Sequence, residues 1–466
     1  MTDGDGPGTS DDDGVVSLAR EFAERGIELA GGRNPFAYRR GQVLLRASDV
    51  RAADRSPAFR RAREVRDAEP LAACDGEVVC VHVQAAKDAS GELRSRGVLA
   101  HLNHVLFTAN GPGLTANPGY QGNPGYQGNP GYQGNPGYQG NPGYQGNPGY
   151  QGNPGGRPLA STATPATPLP AWERLGDGGG PRIAVLDTGL QTDGEHDGAH
   201  EVAGTTRTVR HAALREHVPL PERWRMTPLA DDLRCDEDHA DENDDGFLDR
   251  AAGHGTFIAG IAARLVPGAE VRCEGAMSSF GDGDDATLAA ALGEIFDRGR
   301  PCLVNLSFGG YSEHDEVPLA MEAILRRHVR RHDETVLVAS AGNDATCRPS
   351  WPAAFADVIA VAALQPGGLP AGFTNWGHWV DACAPGVDVT STFLYHDGVE
   401  VAGTVAEHFT GWATWSGTSF AAPKVAAAIA RDMVVTGASP REAAHRVVRA
   451  HGLYRLPNLG TVVNLV

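Results

Sequence analysis

The chain has 466 residues, 41% of them hydrophobic, enough for at least one large core and, as a prior, for two or three domains. Its 58 Asp and Glu outnumber its 40 Lys and Arg, a net charge of −18 that argues against nucleic acid as the main partner, since phosphate binding needs clustered positive charge. Residues 1–14 are polar and acidic, and nowhere are there the ~18 consecutive apolar residues of a membrane helix, so the expectation is a cytoplasmic chain with no membrane partner.

Four regions follow in order. Residues 1–35 begin Gly- and Asp-rich and read as a flexible segment with one short helix around Val15 to Leu29. Residues 36–110 read as a small α/β unit, with strand composition at Gln42 to Leu45 and Val78 to Val83, an Arg-rich helical stretch from Arg51 to Val65, and an apolar end from Val98 to Phe107. Residues 111–169 contain Asn-Pro-Gly-Tyr-Gln-Gly six times in register from Asn117 to Gly152. Proline removes backbone donors, glycine makes ordering costly, and no apolar periodicity is left to bury, so the tract reads as a flexible linker. A tyrosine-based assembly tract is the alternative.

From residue 170 to 466, strand and helix patterns alternate. Arg182 to Leu186, Cys302 to Leu306, Val336 to Ala339 and Val358 to Ala362 read as buried strands. Thr256 to Leu265, Thr287 to Phe296, Leu319 to Arg331, Thr418 to Val435 and Pro440 to His451 read as helices. This alternation predicts a mostly parallel sheet covered by helices on both faces. The seven cysteines form no CxxC pair and several sit in apolar runs, which predicts buried free thiols rather than a disulfide or zinc framework.

Three short segments carry chemistry. Asp187 ends a strand and precedes Thr188-Gly189, the sheet end where α/β proteins put ligands. His254 lies in Gly253-His254-Gly255-Thr256, just before an apolar helix. Ser419 lies in Gly417-Thr418-Ser419-Phe420-Ala421-Ala422-Pro423 at the start of an Ala-rich helix, whose positive end favours a developing oxyanion. A carboxylate, an imidazole and a hydroxyl are the groups that nucleophilic acyl transfer by serine requires.

Together these segments, in this order, resemble the three signatures of the subtilases, the subtilisin-like serine peptidases. The resemblance covers residues from about 170 to the end. It implies a subtilisin-like α/β fold and a serine endopeptidase acting on peptide or protein substrates, with Asp187, His254 and Ser419 as its triad and no cofactor for catalysis. Val338 to Asn343 resembles the family segment whose asparagine donates to the oxyanion, which implies that role for Asn343. Ser307, Phe308 and Gly309 are similar to the family's substrate-pairing edge. Ala341 and Gly342 fall beside it, and Trp351-Pro352 resembles a pocket wall with a cis bond. The acidic run Asp241 to Asp249 has oxygen side chains at Asp241, Asn243, Asp245 and Asp249 with Gly246 between, the spacing of a calcium loop, although Ala252 replaces its bidentate Glu. A structural calcium and a plain solvated acidic loop are both open. The N-terminal unit has the size and position of a subtilase propeptide, an intramolecular partner that inhibits. A silent subtilase-fold module recruiting partners through the tyrosine repeat is the rival reading.

Overall fold

Apolar strands that alternate with helices after Arg182 build one parallel sheet, while the N-terminal unit builds an antiparallel sheet that leans on it. The computed structural model describes residues 20–32, 34–63, 68–108, 158–160, 180–191, 238–243, 248–266, 269–299, 301–331, 334–397 and 408–464. The hexapeptide repeat and Asp245 lie outside these residues.

The N-terminal unit runs β1 (Ile27–Ala30), β2 (Phe36–Arg46), α1 (Val50–Ala53), α2 (Pro57–Ala62), β3 (Glu69–Pro70), β4 (Val78–His82), α3 (Ala86–Ser95) and β5 (Ala100–Thr108). Strand β2 pairs antiparallel with β1, β4 and β5. Side chains alternate across a strand. Val43 and Leu45 of β2 therefore pack with Phe59 of α2 and Leu93 of α3. Leu44 faces the other way, into a cluster with Leu288, Leu292 and Ile324 of the larger unit.

A two-residue strand, β6 (Leu159–Ala160), follows. The parallel sheet uses β7 (Arg182–Asp187), β8 (Glu270–Gly275), β10 (Leu303–Leu306), β12 (Val336–Ser340), β13 (Val358–Leu364), β14 (Ala382–Pro385), β17 (Arg455–Leu456) and β18 (Gly460–Val462), ordered β17-β18-β14-β13-β12-β10-β7-β8. Only the edge strand β17 is antiparallel. Helices α4 (His254–Leu265), α5 (Asp285–Glu294), α6 (Leu319–Arg330), α7 (Thr418–Thr436) and α8 (Pro440–Ala444) flank it. Helices α4 and α7 share a core cluster with one face of the sheet, and α5 and α6 share a second with the other, as covered parallel sheets require. A separate hairpin, β15 (Val389–Asp397) with β16 (His408–Trp415), also takes β6.

The two units join through β5. Its last residues pair with β9 (Asp282–Asp284) along one edge and β11 (Phe308–Gly309) along the other. The strand that ends the N-terminal unit is thus hydrogen-bonded between two segments of the larger one.

Three expectations change. The helix expected at Val15 to Leu29 is helical at residues 20–24 but stops there, because Gly26 takes φ 67° and Ile27–Ala30 pairs with β2. The flexible N-terminal segment therefore gives way to ordered chain before residue 36. The stretch from Arg51 to Val65 breaks into two helices at Ser56-Pro57, where the Ser56 hydroxyl accepts from Phe59 N and caps α2. Within the linker region, residues 159–160 are held by β16.

His104 of β5 is buried, and its Nε2 accepts from the backbone N–H of Glu313 at 3.0 Å, a bond only the neutral ring can make. Burial, with His101, Arg94 and Arg348 adding to it, lowers His104 to about 3. His101 falls to about 4 by burial and the positive charge of Arg94 and Arg46. Glu313 and Glu316 face the same region through ion pairs with Arg94. The folded state holds fewer protons here than the unfolded one, so this stability is present above pH ~6.5 and fades as pH falls toward the folded values. In His104→Gln, which keeps an acceptor but cannot charge, the drop in thermal midpoint between pH 7.5 and 5 is expected to shrink by roughly 2 °C or more. An equal drop in both proteins would mean that His104 does not titrate on unfolding.

Candidate active site

Strand order reverses between β7 and β10: from β7 the chain goes to its neighbour β8, then returns past β7 to β10 and onward. Such a switch point opens a crevice at the carboxyl ends of the strands. Asp187 ends β7, and Ser307 follows β10. His254 begins α4, and Ser419 is the second residue of α7. Asp187, His254 and Ser419 have no exposed surface.

His254 Nδ1 lies 2.6 Å from Asp187 Oδ1, and the same carboxylate oxygen accepts from Thr188 N at 2.9 Å. This bond fixes the tautomer: the proton on Nδ1 points at the carboxylate, and Nε2 is left as a base. Nε2 is buried and makes no hydrogen bond among the described residues. Ser419 Oγ instead donates to the Ser307 carbonyl at 3.1 Å. The imidazole sits in an aromatic wall, with Trp415 edge-on at 5.6 Å and Phe420 at 5.5 Å. Phe420, the residue after the serine, packs with Phe257 and Trp415.

Glycines allow this closeness. A Cβ on Gly253, at φ 79°, would meet the Phe393 ring at 2.3 Å, and one on Gly255 would meet the Gly189 carbonyl at 2.2 Å. Either substitution would push His254 away from Asp187.

Asn343 Oδ1 accepts from Thr418 N and Thr418 Oγ1, each at 2.9 Å. That ties its amide to the residue before Ser419, with the carbonyl end held and the nitrogen end directed oppositely. Gly342 N in turn donates to Thr418 Oγ1. Ser307 is bonded to Ser419 a second time, its hydroxyl donating to Ser419 O at 2.8 Å. Phe308 and Gly309 form β11, whose edge is filled by Thr108 and Phe107. Ala341 and Gly342 continue β12, where Asn375 Nδ2 donates to Ala341 O and Asn375 N to Gly342 O. The Trp351-Pro352 peptide is cis. Asp344 accepts from the Tyr311 hydroxyl at 2.7 Å.

Among the described residues no group of three or more His, Cys, Asp or Glu could hold an ion, and Asp245 of the acidic loop lies outside them. Asp249 Oδ2 is committed to Glu242 N and Ser279 Oγ, both at 2.6 Å, and burial pushes its carboxyl up to about 6. Cys74, Cys80 and Cys383 are buried free thiols that burial pushes up to about 12, which makes them poor nucleophiles.

One contributor escaped the sequence reading. Asp238, ahead of His254 in the chain, is buried and accepts from Gly253 N at 2.8 Å and from Thr256 N and Oγ1 at 3.2 and 2.9 Å. It caps α4 at the turn that carries His254. No local motif marks it, because it lies 15 residues before Gly253, from whose N–H it accepts. Burial pushes Asp238 up to about 6, against the downward pull of its hydrogen bonds. A raised carboxyl binds its proton more tightly folded than unfolded (~3.9), so it adds stability as pH falls from about 6 toward ~4 and none above. Asp238→Ala leaves three buried donors without an acceptor, a loss on the order of 3 kcal/mol, and should lower kcat/KM on a peptide at least tenfold by shifting His254. Unchanged kcat/KM would mean that α4 does not need this cap.

The subtilase family model matches residues 178–452. Among curated relatives, an extracellular protease of Xanthomonas campestris is 29% identical over 281 residues, which are 56% of this chain and 45% of that protein. Thermitase of Thermoactinomyces vulgaris is 26% identical over 266 residues, 55% of this chain and 75% of thermitase. The chain spans less than half the length of the first of these. Among solved structures, fervidolysin from Fervidobacterium pennivorans, described as a keratinolytic enzyme related to subtilisin, matches with a TM-score of 0.52 at 18% identity over 92% of this chain and 60% of that one. No helix among the described residues is long and apolar enough to cross a membrane.

Proposed function

The chain belongs to the subtilase family, and on that premise we propose that it is a serine endopeptidase whose triad is Asp187, His254 and Ser419. The observation that carries the reading is the buried 2.6 Å pair of His254 Nδ1 and Asp187 Oδ1 at the sheet switch point, with the His254 ring 5.5 Å from that of Phe420, the residue after Ser419. To react, the Ser419 hydroxyl leaves the Ser307 carbonyl and gives its proton to His254 Nε2 as Oγ attacks the scissile carbonyl. Asp187 stabilises the imidazolium that forms. Asn343 Nδ2 and the Ser419 amide donate to the oxyanion, supported by the helix end. His254 then protonates the leaving amine, and water repeats the sequence on the acyl-enzyme with His254 as base.

The reading includes autoinhibition. Strand β5 lies in the groove between β9 and β11, with backbone pairing on both edges that is independent of side-chain identity, as in strand addition by a bound peptide. Leu106 reaches into a cluster with Phe308, Leu186 and Leu288, a burial worth about 2 kcal/mol. An active protease in the compartment where it is made, the cytoplasm on this reading, would cut its host. A covalently tethered strand in the groove prevents that at high local concentration. Cleavage between about residues 108 and 170 then releases the unit.

A fluorophosphonate probe is expected to label the activated chain at Ser419 and to leave Ser419→Ala unlabelled. Labelling absent from both would favour the silent binding module. Asn343→Ala should lower kcat by ~10²–10³ with little change in KM.

Intact mass provides a separate check on release. The unsubstituted chain should convert to fragments cut between about residues 108 and 170 as peptide hydrolysis rises, and Ser419→Ala should stay whole. Full activity from an uncut chain would reject the inhibitory role.

A further inference from the structure

Strand β9 carries two carboxylates that the reaction above does not use. Asp282 pairs with Phe107 and Asp284 with Val105, and directly paired residues of antiparallel strands share a face, so these four side chains lie together. Leu106, between them, faces the opposite way into the apolar cluster with Phe308.

The shared face is covered by Phe22, Arg25 and Arg39. Phe22 stacks on Phe107 with ring centroids 5.6 Å apart. Arg25 Nε donates to Asp282 Oδ1 at 2.8 Å. Arg39 bridges the two carboxylates, Nη2 to Asp282 Oδ2 at 2.8 Å and Nε to Asp284 Oδ2 at 3.0 Å. Beneath these guanidinium groups the Asp282 and Asp284 side chains are only 2% and 11% exposed. The further bonds to these carboxylates come mostly from the larger unit's own side. Ser278 Oγ donates to Asp282 Oδ1 at 2.6 Å, and Thr287 N and Oγ1 donate to Asp284 Oδ1 at 3.0 Å, joined by Asn103 Nδ2 at 3.0 Å.

Arg25, Arg39 and Asn103 all precede residue 108, so release of the N-terminal unit removes them together. Asp282 and Asp284 keep their Ser278 and Thr287 bonds, which hold the carboxylates in place, and lose their counter-charges. They then border the groove that β5 has vacated. Carboxylates that have lost their paired cations are poorly compensated, and a peptide bringing a cation to this face restores the lost pairing. The acidic pair does not make the case alone: the guanidinium groups seated on it in the covered state identify the class of ligand it takes.

The register gives the positions. Thr108 faces Phe308, and a substrate residue one step further faces Ser307, whose carbonyl accepts from Ser419 Oγ. Counting back from a bond cut after that residue, the place of Phe107 is third, Leu106 fourth and Val105 fifth. We propose that Asp282 and Asp284 select Arg or Lys at the third and fifth residues before the scissile bond, flanking an apolar fourth residue. This inference rests on the proteolytic reading above and adds a substrate preference to it.

The test uses the full chain, incubated until its activity is constant, with paired fluorogenic peptides. Each pair has leucine at the fourth position and differs only by Arg or Glu at the third or the fifth. At low salt kcat/KM is expected to favour Arg over Glu at least tenfold, and 1 M NaCl should cut that ratio several-fold because it shortens the screening length to ~3 Å. Asp282→Asn should collapse the ratio at the third position, and Asp284→Asn the ratio at the fifth. If either variant fails to fold, the salt series on the unsubstituted chain still decides. Cleavage of both peptides at equal rates, or a ratio that survives salt and substitution, would overturn the preference and leave proteolysis standing. Cleavage of neither peptide, with Ser419→Ala indistinguishable, would overturn proteolysis and this preference together.

Discussion

A carboxylate with no exposed surface at the end of a central strand is costly, of order several kcal/mol, unless it is paired and hydrogen-bonded. Asp187 is such a group, and much of the molecule around it serves that requirement. Thr188 N and His254 Nδ1 both point at Oδ1. His254 can reach it because Gly255 N is bound by Thr188 Oγ1 and because Asp238 gathers the donors of the first turn of α4. Gly253 and Gly255 remove the side chains that would otherwise hold the loop away. The aromatic wall of Trp415, Phe257 and Phe420 excludes water from the imidazole, which strengthens the pairing by lowering the local dielectric.

The same economy of position joins Ser419 to the substrate-pairing edge. Reciprocal bonds link Ser307 and Ser419, backbone carbonyl to hydroxyl in each direction. The start of α7 is therefore locked to the end of β10, and Asn343 is locked to Thr418 beside it. The segments that follow β10 and β12 thus meet the start of α7 within hydrogen-bonding reach. A parallel sheet makes this possible, since all its strand ends point to one side.

The N-terminal unit completes the picture by adding a strand. Its β5 is held by two ladders, a leucine buried in the larger core and an arginine bridge, interactions of different physical kinds. The ladders are indifferent to sequence, whereas Arg39 and Leu106 are not. That difference separates what any extended peptide gains in the groove from what a particular one gains.

Much of this was legible in the residues. Strand and helix periods from Arg182 onward gave the parallel sheet, because buried strands and amphipathic helices leave distinct patterns, and Asp187, His254, Asn343 and Ser419 lie in short segments whose glycines and small residues serve close approach. The helix expected at Val15 to Leu29 illustrates the limit: Ile27 and Leu29 fit either period, and pairing with β2 decided for a strand. Asp238 could not be read from sequence, since its role depends on a chain path that returns it to Gly253 and Thr256. The sequence by itself determined which chemical groups are present and the elements that carry them, since those depend on neighbours along the chain. The tertiary structure decided which strand fills the groove, which carboxylates border it and which hydroxyl faces which carbonyl, because those contacts join residues more than a hundred positions apart and exist only once the sheets have packed.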